Sequence, residues 1–245
     1  MSAPQPPDHD AAYAERLALV RARWDANAEW WDDLSARNAT TADREADLAR
    51  TAAALALRPG DRLLDAGCGA GQFAIAFAAM GYVVSGVDLS PAMIARAYAN
   101  SAVAGIDVAF TAADLATLPT PEPRFDAIHA RMTLQFVPDL PAALATFRRL
   151  LRPGGHLYAS VPGALSPIYG RIWQRFIDPD FDMAFVTPRD LEQLFAHLGW
   201  EILDQWGEFA QSASPDGAGI DATTARTLPR AMQQAAATTW AFVAR

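Results

Sequence analysis

A doubly wound α/β sheet is the fold that the sequence predicts, and three observations carry the prediction. Short apolar stretches alternate with helical patterns along most of the chain, the order that builds a parallel sheet with helices on both faces. The first stretch, Leu63-Leu64-Asp65-Ala66, runs into Gly67-Cys68-Gly69-Ala70-Gly71 and then into an apolar helix from Gln72. The second, Val83 to Asp88, ends in an acid roughly 20 residues after the first, where such a fold sets a carboxylate against ribose hydroxyls.

Residues 1–10, with three prolines and few apolar side chains, read as a disordered tail before one domain spanning 11–245. From Ala11 to Leu34, the residues Tyr13, Leu17, Val20, Trp24, Ala28 and Trp31 fall on one helical face, and Trp30 brings further aromatic area. This segment, within 11–40, is expected to cover the sheet. A second helix runs from about Ala42 to Ala56 and ends at Arg58-Pro59-Gly60-Asp61. After the first strand, glycines at 67, 69 and 71 permit positive φ, and the free N–H groups of the next helix attract polar or anionic ligand atoms. That helix stops at Gly81, the second strand follows, and Ser90-Pro91 supplies an N-cap and a proline at the first helical position.

Asp107 to Ala112 reads as the third strand, followed by Asp114 and Leu115, and Phe125 to Ala130 as the fourth. Ligands of open α/β sheets bind beyond the carboxyl ends of the strands, so Ala130 and Arg131 are expected on the reaction side. A helix over about 140–151 and a turn at Arg152-Pro153-Gly154-Gly155 lead into the fifth strand, His156 to Val161. A connection of about 25 residues, 162–186, then precedes a helix capped by Thr187-Pro188; its length predicts a lid built from a short helix and a loop. Strand six is expected at Gly199 to Trp206, a mobile loop at 212–219, a helix to about Ala237, and a last strand at Thr238 to Ala244.

The glycine turn by itself has two readings. Gly69-x-Gly71-x-x-Ala74 fits a loosened dinucleotide fingerprint, which would suit an NAD(P)-dependent oxidoreductase. Asp65, two residues before the first glycine, would repel a diphosphate and welcome a cationic aminoacyl group. Together, Asp65-x-Gly67-x-Gly69-x-Gly71 and Asp88-Leu89-Ser90 resemble the class I S-adenosylmethionine-dependent methyltransferases, and the resemblance extends from about residue 24 to the C-terminus.

That resemblance implies a Rossmann-like seven-stranded sheet of order 3-2-1-4-5-7-6 with strand seven antiparallel. It also implies S-adenosyl-L-methionine as cofactor, held by Asp65, Gly67, Gly69, Gly71, Asp88, Leu89, Met93, Ala130 and Arg131. In the family, the position of Asp114 is the acid that accepts from the adenine amino group, with the Leu115 position on the ring face. A non-catalytic ligand-binding regulator on the same fold is a further alternative.

Absent motifs narrow the acceptor. There is no Asn/Asp-Pro-Pro-aromatic tetrapeptide for amino-base methylation, and the single cysteine, Cys68, lies in the glycine turn. No Glu occurs between Glu122 and Glu192, unlike protein-arginine enzymes, and Val161-Pro162-Gly163 offers no carboxylate for a catechol-type metal. What survives is a metal-independent methyltransferase for a small molecule with apolar or aromatic surface. Trp24, Trp31, Arg131, Tyr169 and Trp173 are the expected acceptor-binding residues, and His129, Tyr169 and His197 the candidate bases.

Composition agrees with this class. A net charge of −8 argues against a phosphate-backbone partner, and Arg148, Arg149 and Arg152 sit late in one helix, where cations complement the dipole. With no apolar run of about 18 residues and no basic or apolar leader, no membrane association is expected and the setting is cytoplasmic. The single cysteine suits a reducing compartment, and the absence of lysine matches the composition of a GC-rich bacterial genome.

Overall fold

The structure, a computed structural model, describes residues 9–38, 41–119, 124–178, 181, 183–209 and 222–245. The expected tail, apart from His9 and Asp10, and the loop at 212–219 lie outside the described residues. Seven described strands form one sheet in the order β3-β2-β1-β4-β5-β7-β6. They are β1 (Arg62–Ala66), β2 (Val83–Asp88), β3 (Ala109–Ala112), β4 (Phe125–Arg131), β5 (Leu151–Val161), β6 (Ile202–Glu208) and β7 (Thr239–Ala244). Strands β1 to β5 pair in parallel, whereas β7 runs antiparallel to both β5 and β6, as the resemblance implied.

Successive residues of each central strand point to opposite faces, and each face has its own core. Leu64, Ile128, Leu157 and Phe242 pack with α5 (Leu140–Leu150) and α6 (Pro188–His197) on one side. Their neighbours Leu63, Ala127, Tyr158 and Val243 pack on the other with α2 (Thr41–Ala54), α3 (Gln72–Ala79) and α4 (Pro91–Ala104). This near-continuous apolarity is what a strand buried on both faces requires. It places the polar strand ends, Asp65, Asp88 and Arg131, along one edge of the sheet.

Local signals explain the junctions. Ser90 Oγ accepts from Met93 N and Pro91 opens α4, while Thr187 and Asp190 form a reciprocal capping box at α6. The helix α1 (His9–Asn38) lies over α4. Asp25 of α1 accepts from Ser90 Oγ at 2.6 Å and Ala92 N at 3.1 Å, and Asp32 accepts from Gln72, Arg96 and Asn100.

Some elements differ from the sequence reading. β5 already begins at Leu151, which pairs with Phe125; the Pro153-Gly154-Gly155 turn becomes an irregularity inside the strand before pairing resumes at Ala127 and His156. β6 begins at Ile202, because Gly199 takes φ 74° as the chain leaves α6. Segment 162–186 carries no α-helix among its described residues but two 3-10 turns, Pro167–Tyr169 and Ile172–Phe176. The last helix is broken into α7 (Ala222–Thr227) and α8 (Arg230–Ala236), since Pro229 cannot continue α7. No helix among the described residues is long and apolar enough to cross a membrane.

Candidate functional site

Beyond the carboxyl edge of the sheet lies a cavity of about 720 Å³. Its floor begins at the turn after β1, where Gly67, Gly69 and Gly71 all take positive φ, at 76°, 53° and 83°. A Cβ on Gly67 would stand 2.1 Å from Thr133 Oγ1, so only glycine lets the turn pass the loop after β4. Gly67 and Gly69 line the cavity. Gly71 does not, and its missing Cβ instead admits Phe110 and Ala97.

Asp65, on the last turn of β1, is buried in the cavity wall. Its Oδ1 lies 2.8 Å from His129 Nδ1, and because a carboxylate only accepts, Nδ1 carries the proton. Among the described residues Asp65 Oδ2 has no hydrogen-bond partner and neither does His129 Nε2. The His129 ring is enclosed by Tyr158, Phe77 and Phe73, at 4.9, 5.2 and 5.3 Å between centroids. This ring fixes the Asp65 carboxylate and leaves one of its oxygens for a donor from the cavity.

Asp88 closes the other side of the turn. Its Oδ2 accepts from Gly69 N and its Oδ1 from Ser90 N, both at 2.9 Å, which orients the carboxylate at the strand end. Burial pushes its pKa above the ordinary carboxylate value of 3.8, against the opposing pull of those two N–H groups. The same burial, with Asp65 and Asp88 nearby, raises the Cys68 thiol and keeps it protonated. Leu89, Asp114 and Leu115 continue the wall towards β3. Asp114 is already engaged: its Oδ1 accepts from Ala116 N, and its Oδ2 accepts from Thr117 Oγ1 at 3.1 Å and from Tyr13 Oη at 2.5 Å. The Tyr13 hydroxyl is raised by its burial and by this acid.

The aromatic stripe of α1 roofs the cavity through Leu17, Val20, Trp24 and Trp31. Trp24 meets Trp31 edge-on at 5.5 Å and Phe136 at 5.0 Å. At the far end, Arg131 Nε donates to Asp47 Oδ2 at 3.2 Å and its Nη2 to Glu208 Oε2 at 3.4 Å, while its guanidinium lies 5.0 Å from the Phe73 ring centre. Burial works against the Arg131 charge, but Glu208 and Asp47 outweigh it and raise its pKa, so it stays charged. Met132, the next residue, lines the cavity with φ 55°, a strained conformation for a side chain of this size.

Several sequence expectations fall elsewhere. Met93 is buried with Ala28 and Ala70 beneath the tryptophans, and Ala130 is a core residue; neither lines the cavity. Tyr169 is 4% exposed, and its hydroxyl is taken up by the Val186 backbone, donating to O and accepting from N. Trp173 is 54% exposed and outside the cavity wall, to which the described part of segment 162–186 contributes Ile168. His197 ends α6, also away from the cavity. Conversely, Asp47, Arg50, Gln72, Phe73, Thr133, Phe136 and Glu208 line it without having been singled out from the sequence. Phe73 and Gln72 follow the glycine turn directly, a signal that was available; the others carry no local signature.

Comparison with known proteins bears on these observations together. A family model described as "Methyltransferase domain" matches residues 39–238. The chain is 37% identical over 162 residues to the 27-O-demethylrifamycin SV methyltransferase of Amycolatopsis mediterranei, covering 64% of this chain and 59% of that protein. It is 33% identical over 179 residues to a ubiquinone biosynthesis O-methyltransferase of Alkalilimnicola ehrlichii, covering 64% of this chain and 72% of that one. Thus the chain spans less than two thirds of the rifamycin enzyme's length. Among solved structures, the Burkholderia thailandensis 1,6-didemethyltoxoflavin-N1-methyltransferase has a TM-score of 0.62 at 22% identity, covering 100% of this chain and 92% of that one. The [4+2]-cyclase SpnF has a TM-score of 0.68 at 20% identity, covering 92% and 94%. These two likenesses speak to the fold. With the family model spanning most of the chain, and the strand order and glycine turn in agreement, the chain belongs to the class I S-adenosylmethionine-dependent methyltransferases.

Proposed function

We propose that the protein transfers a methyl group from S-adenosylmethionine to a small molecule without a resident metal, acting mainly by holding and desolvating the reactants. The observation that carries this reading is Asp65 Oδ2, a buried carboxylate oxygen without a partner in the wall of the cavity beside the glycine turn. An unpaired charge there is costly unless a ligand supplies the donor, and a cationic aminoacyl group does so. In this reading Asp88 accepts from the ribose hydroxyls, and Leu89, Asp114 and Leu115 bound the adenine. Asp114 keeps Tyr13 between its carboxylate and part of that space.

When bound, S-adenosylmethionine supplies an electrophilic methyl on a sulfonium. The chain's part is to align an acceptor and to exclude water, which is worth up to roughly 7–11 kcal/mol in favourable cases. Trp24, Trp31 and Phe136 form the dry wall for that purpose, and Arg131 bounds the opposite end. By their printed names the two relatives methylate 27-O-demethylrifamycin SV and an oxygen in ubiquinone biosynthesis, which supports a small-molecule acceptor. Asp47 and Glu208, the acids at the Arg131 end, are both paired with this arginine, an arrangement that favours charge neutralisation within the chain over a metal. Release of S-adenosylhomocysteine across a small-molecule library tests the proposal; binding of S-adenosylhomocysteine with no turnover on any member would favour a ligand-binding regulator.

A further inference from the structure

Resting on the methyltransferase reading, we propose that Glu208 is the proton acceptor for a neutral hydroxyl on the methyl acceptor, with Arg131 as its positioning residue. Sheet order divides the cavity. Asp65, Asp88 and Asp114 follow β1, β2 and β3, whereas Arg131, Thr239 and Glu208 stand at the ends of β4, β7 and β6 that reach the same edge. The first half matches the cofactor's polar groups, which leaves the second for the acceptor. Arg131 joins the halves, because its guanidinium lies over Phe73, in the first turn of α3 after the glycine turn, while its Nη2 reaches Glu208.

Of the histidine and tyrosine candidates, none offers a free basic atom to the cavity. His129 Nδ1 is committed to Asp65 and its Nε2 is sealed among aromatic rings, while the Tyr169 hydroxyl is spent on the Val186 backbone. Glu208 lines the cavity, its carboxylate is partly exposed, and Arg131 holds it through Oε2 alone, so that Oε1 faces no competing donor among the described contacts. The groups facing Glu208 are Asp47 and Arg50 from α2, Arg131 from β4 and Tyr158 from β5. Burial is the largest influence and raises its pKa, Arg131 and Arg50 lower it, and Asp47 raises it, with a net shift upwards. Close by on the same strand, Trp206 lines the cavity and carries the Arg50 guanidinium at 4.3 Å.

This chemistry selects the acceptor. A carboxylate is already ionised and needs no base, whereas a neutral phenol on an apolar body does. In the step, the hydroxyl oxygen forms the bond to the methyl carbon as the carbon–sulfur bond breaks. Its electron pair stays on sulfur, giving S-adenosylhomocysteine, and the hydroxyl proton passes to Glu208 Oε1. The probes are 4-methylphenol, protonated at pH 8, and 4-nitrophenol, largely ionised there. Glu208→Gln is expected to lower kcat/KM by roughly 10²- to 10⁴-fold on 4-methylphenol and far less on 4-nitrophenol. The wild-type rate on 4-methylphenol should rise with pH and level off once Glu208 is ionised, whereas the residual rate of Glu208→Gln should keep climbing with the phenolate fraction, and the plateau should return, shifted, in Glu208→Asp. Affinity for S-adenosylhomocysteine should stay as in the wild type, showing an intact fold. Equal losses on both phenols, no loss, or no methylation of either by a wild-type protein that binds S-adenosylhomocysteine would overturn the assignment of Glu208. Failure of the wild type to bind S-adenosylhomocysteine would instead overturn the methyltransferase reading beneath it.

Discussion

Asp65 and His129 face each other in register across β1 and β4, so their pairing follows from two strands that meet at this position. Removing the ring leaves both carboxylate oxygens buried and unpaired. His129→Leu should therefore lower unfolding free energy by about 1–3 kcal/mol, the cost of an unsatisfied buried group, as a shifted midpoint in urea. An unshifted midpoint would mean that water replaces the ring. Asp88 gives a pH prediction with a defined sign. In the proposed reading its ionised form accepts from ligand hydroxyls, and burial raises its pKa above 3.8. Affinity for S-adenosylhomocysteine should then be level near neutrality and fall on acidification, beginning above the pH at which an exposed carboxylate protonates; titrations across pH in the wild type check this. Asp65, Gly67, Gly69 and Asp88 were legible in the sequence because strand, turn and ligand side lie within one short stretch. Asp47 and Glu208 were not, since each is an ordinary charged residue on its own element and only tertiary packing brings them to Arg131.

At the scale of elements, α1 has one face that is both packing surface and cavity wall. The periodicity of Leu17, Val20, Trp24 and Trp31 predicted the helix and its buried face, the segment was expected as a cover with Trp24 and Trp31 towards the acceptor, and these four residues line the cavity. The clamp is polar: Asp25 binds the start of α4, and Asp32 ties together Gln72, Arg96 and Asn100. Asp25→Ala removes acceptors from Ser90 Oγ and Ala92 N. Amides of α1 should then exchange faster with deuterium while β1 and β4 keep their protection, and S-adenosylhomocysteine should bind more weakly. Unchanged exchange in α1 would show that apolar packing alone seats the helix. Segment 162–186 was read as a short helix plus loop, whereas its described residues form two 3-10 turns, the first opened by Pro167 and closed at Gly170. This displacement matters for function: Trp24→Ala should reduce turnover by an order of magnitude or more, whereas Trp173→Ala, outside the cavity wall, should leave it close to the wild type. Parallel kinetics with one acceptor would separate them.

For the molecule as a whole, the charge of −8 and the scattered arginines leave no basic stripe to gain from counterion release. A mobility-shift assay at physiological salt should show no retention of duplex DNA or RNA; micromolar, salt-sensitive retention would point to a nucleic-acid acceptor. The strand order was readable because seven apolar stretches, each bounded by turn residues, left few ways to alternate with the helices, and because the motifs resembled a family of known topology. The cavity's far end was not, since it forms from α1, α2, β4, β6 and β7, which are distant in the chain. The central claim is that the β1 and β2 strand ends hold S-adenosylmethionine, and calorimetric titration with S-adenosylhomocysteine of the wild type and Asp88→Ala tests it most directly. The wild type should bind, with NADH giving no heat, and the variant should bind roughly ten- to a hundredfold more weakly, about 1.5–3 kcal/mol for a charge-linked hydrogen bond. An equal dissociation constant in the two proteins, or binding of NADH in place of S-adenosylhomocysteine, would contradict it.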